Sequence, residues 1–173
     1  MRRPSGALLD RDGTLNTKAP EGEYVVHPDA LVLLPGAAAA VRALNQAAVP
    51  ALLVTNQRGV ARGLMTAADL DAVQERLAAL LAAEGAHLDG WYACPHEPGC
   101  DCRKPLPGLA RRAAAEHGLD LGSCAVIGDA ASDVGLARAV GATAVRLASG
   151  PDPSADATAP DVAAAVALLL AAP

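Results

Sequence analysis

The sequence contains no phenylalanine, and its aromatic residues are Tyr24, Trp91 and Tyr92 alone. A core must therefore be assembled mostly from Leu, Val and Ala, and alanine inflates the 52% hydrophobic fraction. Basic charge is not in excess either: 14 Lys and Arg stand against 19 Asp and Glu, for a formal net charge of −5. A footprint for double-stranded nucleic acid is thereby excluded. Disorder is excluded as well, since charged residues make up only 19% of an apolar-rich chain. Long apolar runs are missing. Gly6 to Leu9 is too short for a signal peptide and stops at Asp10. Val162 to Ala172 is apolar throughout, yet falls far below the ~20 residues that span a bilayer. It reads as a buried or docked C-terminal helix. These absences predict a cytoplasmic protein with no membrane or nucleic-acid partner, in a compartment where disulfides are disfavoured. At 173 residues the chain suits one domain, 1–173, with a core large enough to fold without staples.

What is present is alternation. The short apolar run at Gly6 to Leu9 suits a buried strand. Pro35-Gly36 opens an alanine-rich helix with Val41, Leu44 and Ala48 at helical spacing. Val49 to Val54 reads as a strand that pairs fully only after Pro50. Thr66-Ala67-Ala68-Asp69 has the form of a capping box. It starts an amphipathic helix carrying Leu70, Val73, Leu77, Leu80 and Leu81, closing near Gly85. Trp91 to Cys94 is a strand, and Pro107 to Gly118 bounds a helix. A strand at Cys124 to Ile127, a helix at Ser132 to Val140 and a strand at Ala144 to Leu147 follow. Ser149 to Pro160, rich in Pro, Asp and Ser, reads as a linker before the last helix. Five strands alternating with five helices predict an α/β fold: a doubly wound, mostly parallel sheet with helices on both faces.

In such sheets ligands bind beyond the carboxyl ends of the strands, and the reactive residues gather there. The first strand runs into Asp10-Arg11-Asp12-Gly13-Thr14; the second ends in Thr55-Asn56-Gln57. Arg103-Lys104-Pro105 lies beyond the third, and Gly128-Asp129 with Asp133 follows the fourth. Each signal alone has a bland reading; Asp-Gly, for instance, is a common turn pair. Together they put acids, a hydroxyl and a basic pair on one rim. Carboxylates gather a hard cation such as Mg²⁺, and lysine with a hydroxyl suits phosphoryl oxygens. Phosphoryl transfer is the chemistry this set can perform.

Asp10-Arg11-Asp12-Gly13-Thr14-Leu15, Thr55-Asn56, Lys104 and Gly128-Asp129-x-x-x-Asp133 resemble the four motifs of the haloacid dehalogenase (HAD) superfamily of phosphatases. They stand in the family's order and span most of the chain. The resemblance implies Mg²⁺-dependent phosphomonoester hydrolysis through an aspartyl-phosphate on Asp10. Asp12 would act as general acid and then base, and Thr55 and Lys104 would hold phosphoryl oxygens. Asp10, Asp129 and the backbone carbonyl of Asp12 would hold Mg²⁺. Asp133 is either a residue supporting that metal site or the first-turn acid of its helix.

Cys94-Pro95-His96-Glu97-Pro98-Gly99-Cys100-Asp101-Cys102 offers three sulfurs and an imidazole in a loop too rich in Pro and Gly for a helix. Cys94, His96, Cys100 and Cys102 match a closed structural zinc site at 94–102, set against a reading as plain thiols. Such a zinc would fix Arg103 and Lys104. Cys124 reads as an inert core residue; His27, His87 and His117 read as surface or capping residues. The zinc loop joined to Arg103-Lys104-Pro105 resembles one HAD subgroup, which holds heptose 1,7-bisphosphate and histidinol-phosphate phosphatases. Leu34-Pro35-Gly36 and the stretch from Thr55 to Gly63 are similar to its heptose branch. The resemblance then implies a small phosphorylated metabolite as partner, with Asn56, Gln57, Arg58 and Arg103 contacting it. Removal of the 7-phosphate of D-glycero-D-manno-heptose 1,7-bisphosphate is the expected reaction. Histidinol-phosphate hydrolysis and a phosphoacceptor signalling module remain as alternatives. Ala130 departs from the branch, which usually has a lysine there, and residues 17 to 23 differ from its usual run. No large cap domain is expected, so loops 16–28, 56–64 and 94–106 would select the substrate, and the protein would act as a monomer.

Overall fold

The protein is described from a computed structural model covering residues 2–172. Among these residues, six strands form one parallel sheet in the order β3-β2-β1-β4-β5-β6. The strands are β1 (Ala7–Leu9), β2 (Ala51–Asn56), β3 (Gly90–Cys94), β4 (Ala125–Gly128), β5 (Thr143–Leu147) and β6 (Ala157–Ala159). The helices are α1 (Ala37–Gln46), α2 (Ala67–Ala83), α3 (Gly108–His117), α4 (Ala131–Val140) and α5 (Val162–Leu170). The doubly wound α/β architecture expected from the alternation is the one observed.

Side chains of a strand point to opposite faces in turn, and β1 divides accordingly. Ala7 and Leu9 enter the core beneath α1, α2 and α5, together with Val41, Leu44, Leu77 and Val166. Leu8 enters the opposite core with Leu109, Ala113, Val134 and Leu136 of α3 and α4. Because helices cover both faces, the central strands are apolar without alternation, and β2 is buried at Ala51 to Thr55. Replacing a fully buried leucine such as Leu77 by alanine is expected to cost about 2–5 kcal/mol.

Local signals act where the sequence has them. The Thr66 hydroxyl oxygen accepts the Asp69 N–H at 3.1 Å, and Asp69 Oδ2 accepts the Thr66 N–H at 2.8 Å, closing the capping box. Gly118 takes the left-handed conformation (φ 64) that ends α3. Pairing of β1 with β2 starts at Ala51, immediately after Pro50.

The structure corrects two expectations. Helix α1 stops at Gln46, so Ala48 is not on its buried face; it is exposed at φ 54. The segment 149–160 is more than a linker, since it carries β6 at the sheet edge. A three-residue strand reading Ala-Thr-Ala offers no hydrophobic period. It is secured instead by Asp156, whose carboxylate accepts the Ala144 N–H at 2.8 Å and bonds Arg138 of α4 at 2.9 Å. No helix among the described residues is long and apolar enough to cross a membrane.

The strand order fixes where chemistry can occur. The chain steps outward from β1 to β2 to β3, then returns to the other side of β1 as β4. The crevice beyond the carboxyl ends of β1 and β4 is therefore the switch point of the sheet. Asp10 follows β1 and Asp129 follows β4.

Candidate active site

Asp10 leaves the end of β1 with its N–H donating to the Ile127 carbonyl of β4 at 3.0 Å. Its Oδ1 accepts from Lys104 Nζ at 2.7 Å. The same ammonium lies 2.7 Å from Asp133 Oδ1 and donates to the Val54 carbonyl at 2.7 Å. All three side chains are nearly inaccessible to solvent, so Lys104 is a buried cation shared by two carboxylates. Burial opposes its charge, but Asp10 and Asp133 outweigh burial and hold the ammonium above its ordinary pKa. Burial pushes the Asp10 carboxyl up to about 6; Lys104 pulls against that rise and Asp133 adds to it.

Asn56 aims the lysine. Its side-chain oxygen accepts the Lys104 N–H at 2.9 Å, and its amide donates to the Lys104 carbonyl at 3.1 Å. Asp133 Oδ2 accepts the Ala130 N–H at 3.0 Å, which seats the acid against the end of β4. A Cβ at Gly128 would lie 2.1 Å from that oxygen, so the residue before Asp129 has no room for a side chain. Asp133 thus serves the first turn of its helix and also contacts Lys104.

Asp12 faces a different set of donors. Its Oδ1 accepts from Asn16 Nδ2 at 2.9 Å, and its Oδ2 from Gln57 Nε2 at 2.7 Å. The guanidinium of Arg11, fully buried, lies 3.1 Å from Oδ2. Gln57 also donates to Thr55 Oγ1 at 3.0 Å. These side chains open on a cleft of about 700 Å³ lined by Asp10, Asp12, Thr55, Lys104 and Asp129, with cations around its mouth. The mouth carries Lys18, Arg58, Arg62 and Arg103, together with Tyr24 and Ala130.

The structure brings together Asp10, Asp12, Thr55, Asn56, Arg58, Arg103, Lys104 and Asp129. It removes Gln57 from the expected substrate contacts: that side chain is fully buried behind the cleft wall, bonded to Asp12 and Thr55. Two residues at the mouth escaped the sequence reading. Lys18 Nζ bonds Asp129 Oδ2 at 3.0 Å, and Arg62 lines the cleft along with Arg58. Lys18 lies in the polar run after the first motif, where nothing in its neighbours marks its direction. The expected loops do form the wall, and residues 18 to 25 contribute one side of it.

Two groups of side chains suit metal ions. Asp10, Asp129 and Asp133 bring carboxylate oxygens within 4.8 Å of one another. Among the described residues Asp129 Oδ1 is buried without a partner, while its Oδ2 takes the Lys18 cation. A Cβ at Gly13, which has φ 85, would lie 2.5 Å from that Oδ2. Hard oxygen donors around an unsatisfied acceptor fit Mg²⁺. The second group is Cys94, His96, Cys100 and Cys102. Cys94 Sγ lies 3.1 Å from Cys102 Sγ and 3.5 Å from Cys100 Sγ, and His96 Nδ1 lies 3.1 Å from Cys102 Sγ. A tetrahedral zinc bound by sulfur at ~2.3 Å and nitrogen at ~2.0 Å sets ligand separations of about 3.5–3.8 Å. The four side chains fit it after a small outward adjustment. Burial opposes ionisation of Cys100, yet the Arg103 N–H and neighbouring thiols draw it down to about 6. Cys124 is buried, as expected, but stands just before β4 rather than within it.

A family model described as HAD-hydrolase-like matches residues 101–171. The D-glycero-beta-D-manno-heptose-1,7-bisphosphate 7-phosphatase of Bordetella bronchiseptica is 40% identical over 136 residues, covering 78% of this chain and 75% of that protein. The chain belongs to this family of HAD phosphatases. A crystal structure of the B. bronchiseptica heptose bisphosphate phosphatase complexed with magnesium and phosphate superposes with a TM-score of 0.86. It is 36% identical, and the match covers 95% of this chain and 98% of that one. The D-glycero-alpha-D-manno-heptose-1,7-bisphosphate 7-phosphatase of Mycobacterium tuberculosis is also 40% identical, over 82% of this chain and 76% of that protein. Membership makes this phosphatase a phosphoric monoester hydrolase. Its metal-fitting residues are the acids around Asp129 and the Cys₃His loop.

Proposed function

We propose that this phosphatase removes the 7-phosphate of D-glycero-D-manno-heptose 1,7-bisphosphate, with Asp10 as nucleophile. The observation that carries the reading is the Asp10 carboxylate at the sheet's switch point, gripped by Lys104 at 2.7 Å. Asp12, two residues on, is held separately beside the same cleft. One carboxylate is thus aimed by a buried cation and the other by neutral donors and Arg11. That division suits a nucleophile and an acid/base.

An Asp10 oxygen attacks phosphorus, the bond to the sugar oxygen breaks, and Asp12 supplies the proton which that oxygen needs to leave. The product is an acyl phosphate on Asp10. Asp12, now ionised, takes a proton from water as the water attacks phosphorus, releasing phosphate and restoring Asp10. Thr55 and Lys104 donate to the phosphoryl oxygens throughout, with donors fixed before the charge moves. Mg²⁺, held by Asp10, Asp129 and the Asp12 carbonyl, would lower the repulsion between the carboxylate and the phosphoryl group.

The cations at the mouth, Arg58 and Arg103 with Lys18, suit the sugar and its remaining phosphate. Zinc at Cys94, His96, Cys100 and Cys102 would order the loop that presents Arg103 and Lys104. We assign residues 1–173 to one domain acting as a monomer in the cytoplasm.

Steady-state kinetics on both anomers of heptose 1,7-bisphosphate and on histidinol phosphate test the reading. The bisphosphate is expected to give the larger kcat/KM. An advantage for histidinol phosphate overturns the substrate, and turnover retained in Asp10→Asn overturns the nucleophile.

A further inference from the structure

Gln57 is a fully buried amide standing between two groups of the reaction. Its Nε2 lies 2.7 Å from Asp12 Oδ2 and 3.0 Å from Thr55 Oγ1. In the ionised form, the one that takes the proton from water, Asp12 only accepts hydrogen bonds, so the atom facing it is then the amide nitrogen, at 2.7 Å. That nitrogen carries two hydrogens and has two acceptors. The second hydrogen therefore goes to Thr55 Oγ1, which acts there as an acceptor.

A hydroxyl has one hydrogen to give. Since Thr55 Oγ1 receives from Gln57 on its buried side, its own hydrogen is left to point into the cleft that Thr55 lines. Among the described residues the buried amide oxygen of Gln57 has no hydrogen-bond partner. A buried acceptor left unsatisfied costs about 1–3 kcal/mol. Asn16 and Arg11 also touch Asp12, but neither bonds Thr55.

We infer that Gln57 is a positioning residue that sets two elements of the chemistry with one nitrogen. It fixes the Asp12 carboxyl for proton transfer to the leaving oxygen, and it turns the Thr55 hydroxyl hydrogen toward the phosphoryl group. The inference rests on the acid/base reading of Asp12 given above. It replaces the expectation that Gln57 contacts substrate.

Leaving groups separate the positioning role from a structural one. A sugar alkoxide needs a proton to depart, whereas 4-nitrophenolate hardly does. The test measures kcat/KM for heptose 1,7-bisphosphate and for 4-nitrophenyl phosphate in wild type, Gln57→Met, Gln57→Glu and Asp12→Asn. Gln57→Glu keeps the shape and removes the donating nitrogen, so it serves should Gln57→Met fail to fold. Zinc content and thermal melting report folding for each variant. General acid catalysis contributes about 10²–10⁴-fold; Asp12→Asn should lose that much on the sugar ester and far less on the aryl ester. The Gln57 variants should show the same pattern, roughly 10–10²-fold lost on the sugar ester, with weaker inhibition by orthovanadate. Equal losses on both esters in the Gln57 variants, alongside discrimination in Asp12→Asn, overturn the role of Gln57. Equal losses in Asp12→Asn itself overturn the acid/base reading beneath it.

Discussion

Single side chains in this cleft have few and identifiable partners, which makes small changes readable. Lys18 shows this for charge. Its ammonium occupies Asp129 Oδ2 at 3.0 Å while more than half exposed. A divalent cation bound by Asp129 meets that ammonium as a competitor. An exposed ion pair is worth about 0.2–1 kcal/mol. Lys18→Met is therefore expected to lower the Mg²⁺ concentration giving half-maximal activity by roughly two- to fivefold. A Mg²⁺ titration of initial rates reads this directly, and a higher requirement would contradict it. Gly128 shows the same for space. Alanine there drives a methyl group into the Asp133 carboxylate, and overpacking of this kind costs about 1–3 kcal/mol. Gly128→Ala should lower Tm and also loosen Lys104, so kcat drops even at temperatures where the variant stays folded.

Residues whose chemistry admits one kind of use were legible from the sequence. Asp10, Asp129, Lys104 and the four zinc-loop side chains come together as their types and spacing suggest. Gln57 was not, because an amide serves as well behind the wall as in front of it. Which side it takes depends on where Asp12 and Thr55 present acceptors, and that is set in three dimensions. Lys18 escaped for the reverse reason: a long flexible cation in a polar run reads as solvated until its partner 111 positions away is known.

Elements carry the next level of dependence. The Cys₃His loop is not an ornament of β3, because the loop after β2 leans on it. The Gln57 N–H donates to the Cys94 carbonyl at 2.7 Å, and the Ala61 N–H to the Pro95 carbonyl at 3.1 Å. At its far end, the Gly108 N–H donates to the Asp101 carbonyl at 3.0 Å, where a Cβ would meet that oxygen at 2.7 Å. The loop thus joins β2, β3 and α3 while presenting Arg103 and Lys104. Cys100→Ser should lose zinc and raise KM. Protease cleavage after Arg103 should increase, because that residue loses its anchor. Zinc analysis and limited trypsin digestion check the two results together; full zinc content with unchanged digestion would refute the linkage. Among the strands, those with apolar runs were legible, whereas β6 was not. Its register comes from Asp156 reaching α4 and β5, a contact with no trace in the Ala-Thr-Ala pattern. Burial works to raise the Asp156 pKa, yet the Ala144 N–H and Arg138 outweigh it and lower the value. A lowered acid adds stability above its unfolded value of about 3.9 and loses it as pH falls through the folded value. Wild type should therefore lose more stability in acid than Asp156→Asn, as measured by urea unfolding across that range.

At the scale of the molecule, the fold gathers negative charge at the sheet's switch point and leaves the metal-free state to cope with it. Asp10, Asp129 and Asp133 converge there, and Lys104 is the buried cation between Asp10 and Asp133. Burial, offset by Lys104 and reinforced by Asp133, raises the Asp10 carboxyl to about 6. An acid with a raised folded value holds its proton more tightly folded than unfolded. The stability this contributes is complete below about 3.9 and is lost as pH rises through the folded value. Mg²⁺ held by Asp10 and Asp129 would take over the proton's task of neutralising the cluster, at a site that only the folded chain assembles. Its stabilising effect must then grow as the proton leaves. Calorimetry of protein stripped by a Mg²⁺-selective chelator should show a gain in Tm of roughly 5–10 °C on saturation with Mg²⁺ at about pH 7.5. At about pH 5, where protons compete for Asp10, the gain should shrink to a few degrees. A gain independent of pH would mean that Mg²⁺ does not displace the Asp10 proton, and that the cluster is balanced by Lys104 alone.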